Sequence, residues 1–571
     1  MWYTGMGHTQ ASFGEADFLE HILGGLQTVT GAEASDCGAP REAAPEAEDF
    51  EKVALDDDTQ NPMELAVAPD GRVFYIERDG RVMIIKPDTG QTVQAFAIPV
   101  DQSQENGLIG LQLAPDFATS RWVYLAYSEP SNTTRQNTQV VARWKVVGDT
   151  LDPASRQEIF TWTHQRAECC HSSGSLYFGP DGSLYISTGD NTNPFASDGF
   201  TPIDERPGRE AWDAQRTSGN TNDYNGKILR IVPNPDTPGY TVPAGNLFAP
   251  GTAQTKPEIF AMGFRNPFRF TVDSETGWVL MGDYGPDAGS TVVGRGPQGS
   301  VEFNTLTQPG NYGWPYCIRD NTAYNDYNFA TGQSGPLFNC AAPVNESPNN
   351  TGLVNLPPAI GADAWMGYTE QDPRFIPDLG GGGAPMGGPR YHYDPSGPPT
   401  KFPQYYDDQW FNGEWNNGWI KTFTLNASGA VTDVSPFALG TGYLRPMDLD
   451  FGPDGSLYVI EWGSGFGGNN ADSGIYRIDY VAEGRRPIAH ATATPDNGPT
   501  PLTVQFSSAG SVDPDGTALT YEWDFDGNGT TDSTEPNPSH QYTQAGAFTA
   551  LLRVTDQSGQ TAADQVRVVA G

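Results

Sequence analysis

A hairpin that recurs along most of the chain places the strongest constraint on its fold. Residues 65–75, 176–185 and 449–458 each read as an alternating strand, a Pro-Asp-Gly turn and a second alternating strand. Looser copies occupy residues 111–124 and 270–280. Repeated hairpins are typical of radial architectures, which leave few open sheet edges. The sequence therefore predicts an all-β fold, a six-bladed β-propeller over residues 49–481; a β-helix or two unrelated β domains are the alternatives.

Two long segments interrupt this repeat. Residues 191–225 and 318–400 are too polar and too rich in glycine to read as blade strands. Propellers usually carry their function on the face where such loops gather. We therefore expect both segments to be loops that crowd one face.

The C-terminal residues predict a second module. From residue 485 the composition shifts, and residues 502–506, 521–523 and 550–554 alternate as in a β-sandwich. Residues 513–516, 521–527 and 540–543 closely resemble PKD domains. The resemblance implies an Ig-like β-sandwich over residues 485–571, of a kind common in secreted bacterial enzymes.

The N-terminal residues resemble part of a different fold. Residues 2–9 read as a strand and residues 16–23 as an amphipathic helix that ends at Gly24. Their text resembles the final strand and helix of ThuA-like domains, which are α/β proteins. The resemblance implies an α/β remnant over residues 1–31, a linker over residues 32–48 and further domains in a longer parent protein.

Charge and hydropathy exclude several classes of partner. The 571 residues contain 32 Lys and Arg against 70 Asp and Glu, a formal net charge of −38. Such a surface repels nucleic acid and anionic lipid and attracts cations such as calcium, although a plain solvated acidic surface is the alternative. No stretch approaches the roughly 18 apolar residues that cross a bilayer. We expect neither a nucleic-acid partner nor a membrane span.

The five cysteines favour an oxidising compartment. Cys317 and Cys340 flank a loop rich in Gly and Asn, where a disulfide would replace core packing, and buried free thiols are the alternative. The adjacent Cys169 and Cys170 could form a vicinal disulfide, which leaves Cys37 over. The sequence thus predicts a secreted, extracellular or periplasmic protein.

One predicted hairpin brings a histidine and an aspartate together. His171 precedes its first strand and Asp190 follows its second, so the antiparallel pair places both residues at one end. An aspartate beside an imidazole can fix its tautomer and raise its basicity. The pattern indicates a general base, although a lone histidine is more often structural.

A second group of motifs indicates a cation site. Arg265 and Asn266 are followed by Gly285 and Pro286, whose carbonyls could ligate calcium. Nearby carboxylates could complete the shell, and Arg265 could polarise an oxygen. Plain turns and core packing are the alternative.

Together these motifs resemble the glucose/sorbosone dehydrogenase family of quinoprotein propellers over about residues 60–480. Residues 107–110, 115–117 and 226–231 add to the likeness. The resemblance implies pyrroloquinoline quinone (PQQ) held by calcium on the propeller face. The roles it implies are: His171, catalytic base; Asp190, its orienting partner; Arg265 and Asn266, beside the cofactor; Gly285 and Pro286, carbonyl ligands of the cofactor's calcium; Glu302 and Tyr312, ligands of a structural calcium.

The same resemblance implies a mechanism and marks departures from the family. His171 would take the proton of a sugar hydroxyl, hydride would pass to the quinone, and electrons would pass to an external acceptor. Glu105 stands where glucose-oxidising relatives have Gln beside the cofactor. Asn416 stands where they have Lys, and Arg445 with Met447 where they have two arginines. Those cations would pair the carboxylates of the quinone.

Two functions therefore compete. The first is PQQ- and calcium-dependent oxidation of an aldose or of a saccharide end. The second is a non-catalytic, carbohydrate-binding propeller beside the PKD module, and a different metal-assisted enzyme is a third possibility. Five aromatic residues fit either sugar stacking or blade packing: Trp365, Tyr368, Trp410, Trp415 and Trp419.

The PKD segment contains the ligand order of a calcium loop. The pattern D-x-[DN]-x-[DN]-G-x₅-E is matched by Asp524, Asp526, Asn528, Asp532 and Glu535, with Gly529 at the turn. Strand-like residues precede it, so the flanks are not those of an EF-hand. The sequence predicts weak calcium binding here, with a polar turn as the alternative.

Overall fold

A computed structural model describes residues 44–437, 442–481, 487–513, 515–557 and 559–571. The predicted ThuA-like remnant, Cys37 and most of the predicted linker lie outside these ranges. The described chain is all-β apart from one short α-helix and a few 3₁₀ turns, and none of these helices could cross a membrane. The helical elements are Phe117–Ser120 (α), Ala47–Asp49, Pro153–Ser155, Glu210–Trp212, Pro373–Phe375 and Gln404–Tyr406.

The described residues between 50 and 480 form six sheets of four to six strands, numbered here in chain order, besides two small hairpins. Sheet 1 comprises Pro62–Val67, Val73–Glu77, Arg81–Ile85 and Thr92–Ala97. Sheet 2 comprises Leu108–Leu113, Trp122–Ser128, Thr138–Val147, Thr150–Leu151 and Gln157–Thr163. Sheet 3 comprises Leu176–Phe178, Leu184–Thr188, Lys227–Pro233, Tyr240–Thr241, Ile259–Met262 and Gly310–Asn311.

The remaining three sheets follow the same meander. Sheet 4 comprises Arg269–Val272, Val279–Asp283, Ser300–Leu306 and Ala364–Gly367. Sheet 5 comprises Pro385–Arg390, Gln409–Glu414, Trp419–Leu425 and Val431–Phe437. Sheet 6 comprises Pro446–Phe451, Leu457–Glu461, Gly474–Tyr480 and the chain's first described strand, Phe50–Asp56. Each recurring Pro-Asp-Gly turn joins the first two strands of a sheet. The glycine supplies the positive φ that the turn needs.

The first strands of the six sheets form a closed ring. Each packs against the first strand of the next sheet, and Pro446–Phe451 of sheet 6 packs against Pro62–Val67 of sheet 1. Phe50–Asp56 pairs antiparallel with Gly474–Tyr480, which ties the start of this segment to its end. Six sheets in a ring is what six blades require, so the ring supports the predicted blade number, which stays a prediction.

One of the predicted loop segments contains sheet strands. Residues 191–225 have no strand of their own, but residues 318–400 contain Ala364–Gly367 and Pro385–Arg390. The prediction of loops throughout 318–400 was therefore wrong. Glycine serves close packing here, because a Cβ on Gly387 would lie 2.6 Å from the main chain of Met281 and Gly282. The other strands of this segment form two small hairpins: Cys317–Ile318 with Thr322–Ala323, and Asn325–Asn328 with Gln333–Leu337.

The C-terminal residues form a β-sandwich of two sheets. One contains Thr492–Thr494, Leu502–Ser507 and Ser539–Tyr542. The other contains Asn497–Gly498, Thr561–Ala570, Gly546–Thr555 and Thr520–Asp524. The inward positions of the predicted alternation are fully buried, as Val504, Trp523 and Leu552 show. The β-sandwich prediction is confirmed.

Cys317 and Cys340 form the predicted disulfide, with an S–S distance of 1.98 Å and 23 residues of separation. Cys169 and Cys170 are also bridged. We expect a Cys317→Ala/Cys340→Ala variant to lose about 3 kcal/mol of unfolding free energy, because the bond closes a loop of intermediate length. Urea unfolding measures this loss. A Cys169→Ala/Cys170→Ala variant is the matched control, since that bond closes no loop; equal losses in both variants would contradict the loop-closure account.

Candidate functional site

The fold brings most predicted site residues to one face of the ring. The first two strands of each sheet are antiparallel, so the start of the first and the end of the second share an edge. Gly282 of sheet 4 lies against Pro385 of sheet 5, and Gly413 of sheet 5 lies against Pro446 of sheet 6. These edges of neighbouring sheets therefore lie side by side on one face of the ring. We call it the site face. The predicted residues at these strand ends are Glu105, His171, Asp190, Arg265, Asn266, Asn416 and Arg445.

His171 and Asp190 form a buried hydrogen-bonded pair, as the hairpin predicted. The distance from His171 Nδ1 to Asp190 Oδ1 is 2.7 Å, and the histidine is 3% exposed. A carboxylate only accepts, so Nδ1 carries a proton, and in the neutral form of the imidazole Nε2 then keeps its lone pair. Gly189 permits this approach, because a Cβ there would lie 2.2 Å from the His171 carbonyl oxygen. The pair is arranged to accept a proton at Nε2.

Two further donors hold the aspartate in place. Trp314 Nε1 donates to Asp190 Oδ2 at 2.7 Å, and the Thr192 main-chain N–H donates to Oδ1 at 3.0 Å. The Asp190 main-chain N–H donates to the Arg265 carbonyl at 2.7 Å. Both carboxylate oxygens are therefore oriented before any substrate binds, which fixes the imidazole in turn.

Arg265 and Asn266 adjoin this pair and rest on Asp283. Asp283 accepts the main-chain N–H of Arg265 at 3.0 Å and that of Asn266 at 2.8 Å. The Arg265 side chain reaches the Tyr284 carbonyl and the Asp287 carboxylate, both at 3.3 Å, while its buried Nε has no partner among the described residues. Arg265 thus retains a donor for a bound molecule.

The loop before the first strand of sheet 3 joins three sheets. The Ser172 main-chain N–H donates to Glu105 Oε2 at 3.0 Å, and the Ser173 hydroxyl donates to Asn266 Oδ1 at 2.7 Å. These bonds tie Glu105 and Asn266 to the two residues that follow His171. The Glu105 carboxylate also lies within 4.8 Å of the sulfur atoms of the bridged Cys169 and Cys170.

The four predicted propeller calcium residues line one small cavity together with Asp283: Gly285, Pro286, Glu302 and Tyr312. Asp283 and Glu302 face each other across neighbouring strands. Burial raises the pKa of Asp283 to about 7. Burial and the charge of Asp283 raise the pKa of Glu302 to about 8. Two buried carboxyl groups among main-chain carbonyls are the oxygen-rich setting that calcium prefers.

Asn416 and Arg445 also lie at the site face. Among the described residues, no direct hydrogen bond joins either of them to His171. The Asn416 side chain is exposed. The Arg445 guanidinium lies over the Trp415 ring, 4.4 Å from its centre, and its Nε donates to the Ser464 carbonyl at 3.3 Å. Arg445 Nη1 is buried without a partner among the described residues. With Arg265 Nε, this unpaired cationic donor fits a ligand that carries carboxylates, as PQQ does.

The predicted aromatic platforms divide into two groups. Trp365 and Trp410 are buried, and Trp365 packs under the Arg319 guanidinium at 4.1 Å, so both belong to the packing of the sheets. Tyr368 is 51% exposed. Its partial burial and the charge of Asp287 raise the pKa of its hydroxyl, and the charge of Arg265 opposes this rise. Tyr368 is therefore placed to contact a molecule on the site face.

Sequence reasoning missed three residues that organise the site. Asp283 and Trp314 stand in segments that were interpreted as a cation site, where neither residue was given a role, and Trp314 lies 124 residues from Asp190. His164 Nε2 lies 3.1 Å from the Ser172 hydroxyl, and burial lowers the pKa of His164 to about 3, which keeps it neutral. Only Asp283 had a usable signal in the sequence: it directly precedes Tyr284, Gly285 and Pro286, two of which were predicted to bind calcium.

The PKD calcium loop is partly assembled. Asp524, Asp526 and Asp532 each bring a carboxylate oxygen within 4.8 Å of the others, and Glu535 is not in this cluster. The Asp524 oxygens accept main-chain N–H groups of residues 526–529, which curls the loop. The same main-chain bonds lower the pKa of Asp524 against its partial burial.

We expect this loop to bind calcium weakly, with a dissociation constant of about 10⁻⁴–10⁻³ M. Calorimetric titration of a 485–571 fragment tests this, since the segment has its own apolar core. An Asp526→Asn fragment is the control, because the amide keeps the hydrogen bond to the Asn528 N–H and removes one ligand charge. Absence of heat at millimolar calcium would leave only a polar turn.

Comparisons with known proteins give relatives of this chain. A quinoprotein glucose dehydrogenase of Acinetobacter calcoaceticus is 25% identical over 338 residues, which cover 55% of this chain and 65% of that protein. An aldose sugar dehydrogenase of Escherichia coli is 25% identical over 263 residues, covering 46% of this chain and 60% of that protein. The chain thus spans less than two thirds of these two relatives.

A solved structure shares the fold. The soluble aldose sugar dehydrogenase of Escherichia coli in its apo form gives a TM-score of 0.51 at 20% identity, over 76% of this chain and 99% of that one. Residues 484–570 match the PKD domain family. Residues 59–348, more than half of the 571 residues, match the family described as glucose/sorbosone dehydrogenase. The chain belongs to the glucose/sorbosone dehydrogenase family and ends in a PKD domain.

Proposed function

We propose that this chain oxidises a hydroxyl group of a sugar, an aldose or a saccharide end, with PQQ and calcium. The observation that carries the proposal is the buried His171–Asp190 pair, with Nε2 as a proton acceptor and Arg265 alongside. When bound, PQQ would supply the acceptor for the two electrons of the alcohol carbon, and an external acceptor would take them onward. The names of the relatives, a quinoprotein glucose dehydrogenase among them, support this chemistry.

His171 would take the hydroxyl proton of the sugar at Nε2. Because Nδ1 donates to Asp190, the imidazolium that forms would be stabilised by a carboxylate that is itself held by Trp314. Arg265, whose Nε has no partner among the described residues, would donate to negative charge that develops on the oxidant side of the site. Glu105, which accepts from Ser172, would keep the histidine loop in register.

The resemblance implies two calcium ions, one at Gly285 and Pro286 and one at Glu302 and Tyr312. Because all four residues line one small cavity with Asp283, a single calcium there would serve the cofactor. Asn266 and Arg445 would contact the cofactor, while Asn416 would contribute a neutral side chain where relatives have a cation. The Cys317–Cys340 disulfide and the PKD domain support an extracellular or periplasmic location.

Reconstitution tests the proposal. The purified chain is incubated with PQQ and calcium, and reduction of an artificial dye is followed with a panel of aldoses and oligosaccharides. We expect sugar-dependent dye reduction that requires PQQ. Retention of the chain on a carbohydrate column without any dye reduction would favour the non-catalytic, carbohydrate-binding propeller instead.

A further inference from the structure

Unpaired donors gather at one corner of the site face. Arg445 Nη1, Trp415 Nε1 and Trp462 Nε1 are all buried, and none has a hydrogen-bond partner among the described residues. The Arg445 guanidinium lies 4.4 Å from the centre of the Trp415 ring. The Trp462 main-chain N–H donates to the Arg445 carbonyl at 3.0 Å. A buried donor without an acceptor is unfavourable, so three at one corner indicate a missing acceptor.

The topology places this corner at the site face. Trp415 follows Gln409–Glu414, the second strand of sheet 5, and Trp462 follows Leu457–Glu461, the second strand of sheet 6. Arg445 directly precedes the first strand of sheet 6. Two other described tryptophans also have a buried, unpaired indole N–H, but Trp162 lies in the outermost strand of sheet 2 and Trp523 lies in the PKD domain. Of the four described tryptophans with a buried, unpaired indole N–H, only Trp415 and Trp462 therefore lie at the site face.

The chemistry of the corner selects an anion. An indole N–H and a guanidinium can only donate, so these three side chains present three donors and no acceptor to a bound group. The Trp415 ring under the guanidinium holds the cation in place through a cation–π contact. A carboxylate has enough lone pairs to accept from all three groups and would neutralise the arginine.

We propose that Trp415 and Trp462 complete, with Arg445, a pocket for one carboxylate of bound PQQ. The proposal rests on the PQQ dependence proposed above. In this pocket, neutral indole donors replace the cations that are absent at Asn416 and Met447. Trp415 and Trp462 act as positioning residues: they orient the cofactor through its carboxylate and leave the proton transfer to His171.

Phenylalanine substitutions test the pocket, because they remove the N–H and keep an aromatic ring. PQQ is titrated into the calcium-loaded full chain and binding is followed by absorbance, without sugar or dye. We expect Trp415→Phe and Trp462→Phe each to raise the dissociation constant about tenfold or more, since each loses a hydrogen bond to a charged group. Trp162→Phe is the matched control and is expected to bind as the parent does, because its unpaired N–H lies in the outermost strand of sheet 2.

Thermal unfolding without PQQ separates positioning from a structural role. Because a buried N–H without a partner is unfavourable, its removal is expected to leave the unfolding midpoint of the unliganded variants at or above that of the parent. Dissociation constants within twofold of the parent for both variants would overturn the pocket, as would an equal effect of Trp162→Phe. A parent chain that binds no PQQ would overturn the proposed function itself and the pocket with it, and the parent titration alone reveals that case.

Discussion

His171→Gln is expected to lower kcat by about 10²–10⁴-fold, the usual contribution of a general base. Glutamine has a similar volume and can still bond to Asp190, but its amide cannot accept the proton of the sugar. PQQ binding and the unfolding midpoint should stay close to those of the parent, because glutamine fills the same buried space and keeps the bond to Asp190. Steady-state dye reduction with saturating sugar measures the change.

Two further variants sharpen this test. Asp190→Asn is expected to lower kcat as well, since an amide no longer fixes the histidine tautomer that leaves Nε2 unprotonated. His392→Gln is the matched control, because His392 bonds to Asp273 on another part of the ring and has no place at the site. An unchanged kcat for His171→Gln would remove the histidine from the mechanism, whatever the effect at Asp190.

The sequence predicted best where the signal is local. A Pro-Asp-Gly turn between alternating strands specifies a hairpin within about ten residues, so the recurring hairpins and the meeting of His171 with Asp190 were both predictable. The sandwich core followed from the same alternation. In each case the contacts join residues that are near in sequence or related by one strand pairing.

Long-range packing was not predictable from the same patterns. The bond from Trp314 to Asp190 joins residues 124 apart in the chain, so it depends on how sheet 3 and the segment after it fold together. The glycines of Pro385–Arg390 suggested a loop, since glycine weakens an isolated strand. They lie instead where an innermost strand approaches Met281 and Gly282 too closely for a side chain. Composition alone does not separate these two uses of glycine.

Acidic groups that the sequence showed for the whole chain are also concentrated at the site. Glu105, Asp190, Asp283 and Glu302 bring four carboxyl groups to the site face and its cavity, within a chain of net charge −38. Arg265 is shared with Asp287 at 3.3 Å. An anionic cofactor would enter a site lined by carboxyl groups, in which Arg265 is already paired, so a bound cation has to offset the added negative charge.

PQQ binding is therefore expected to require calcium. One pair of unit charges 4 Å apart is worth about 4 kcal/mol at an effective dielectric constant of 20. Loss of the cation should thus weaken binding by about three decades, beyond detection at micromolar PQQ. An absorbance titration with EDTA, then with calcium restored in excess, measures the effect and controls for damage by the chelator.

A variant of the cavity links the requirement to this site and not to calcium bound elsewhere. Glu302→Gln keeps the shape of the side chain and removes a carboxyl group that can ionise to bind calcium, so more calcium should be needed for half-maximal PQQ binding. Asp526→Asn in the PKD loop is the matched control and should leave that calcium concentration unchanged. PQQ binding of equal strength with and without EDTA would show that the site is built differently, and the roles given to Gly285, Pro286 and Arg265 would then have to be withdrawn.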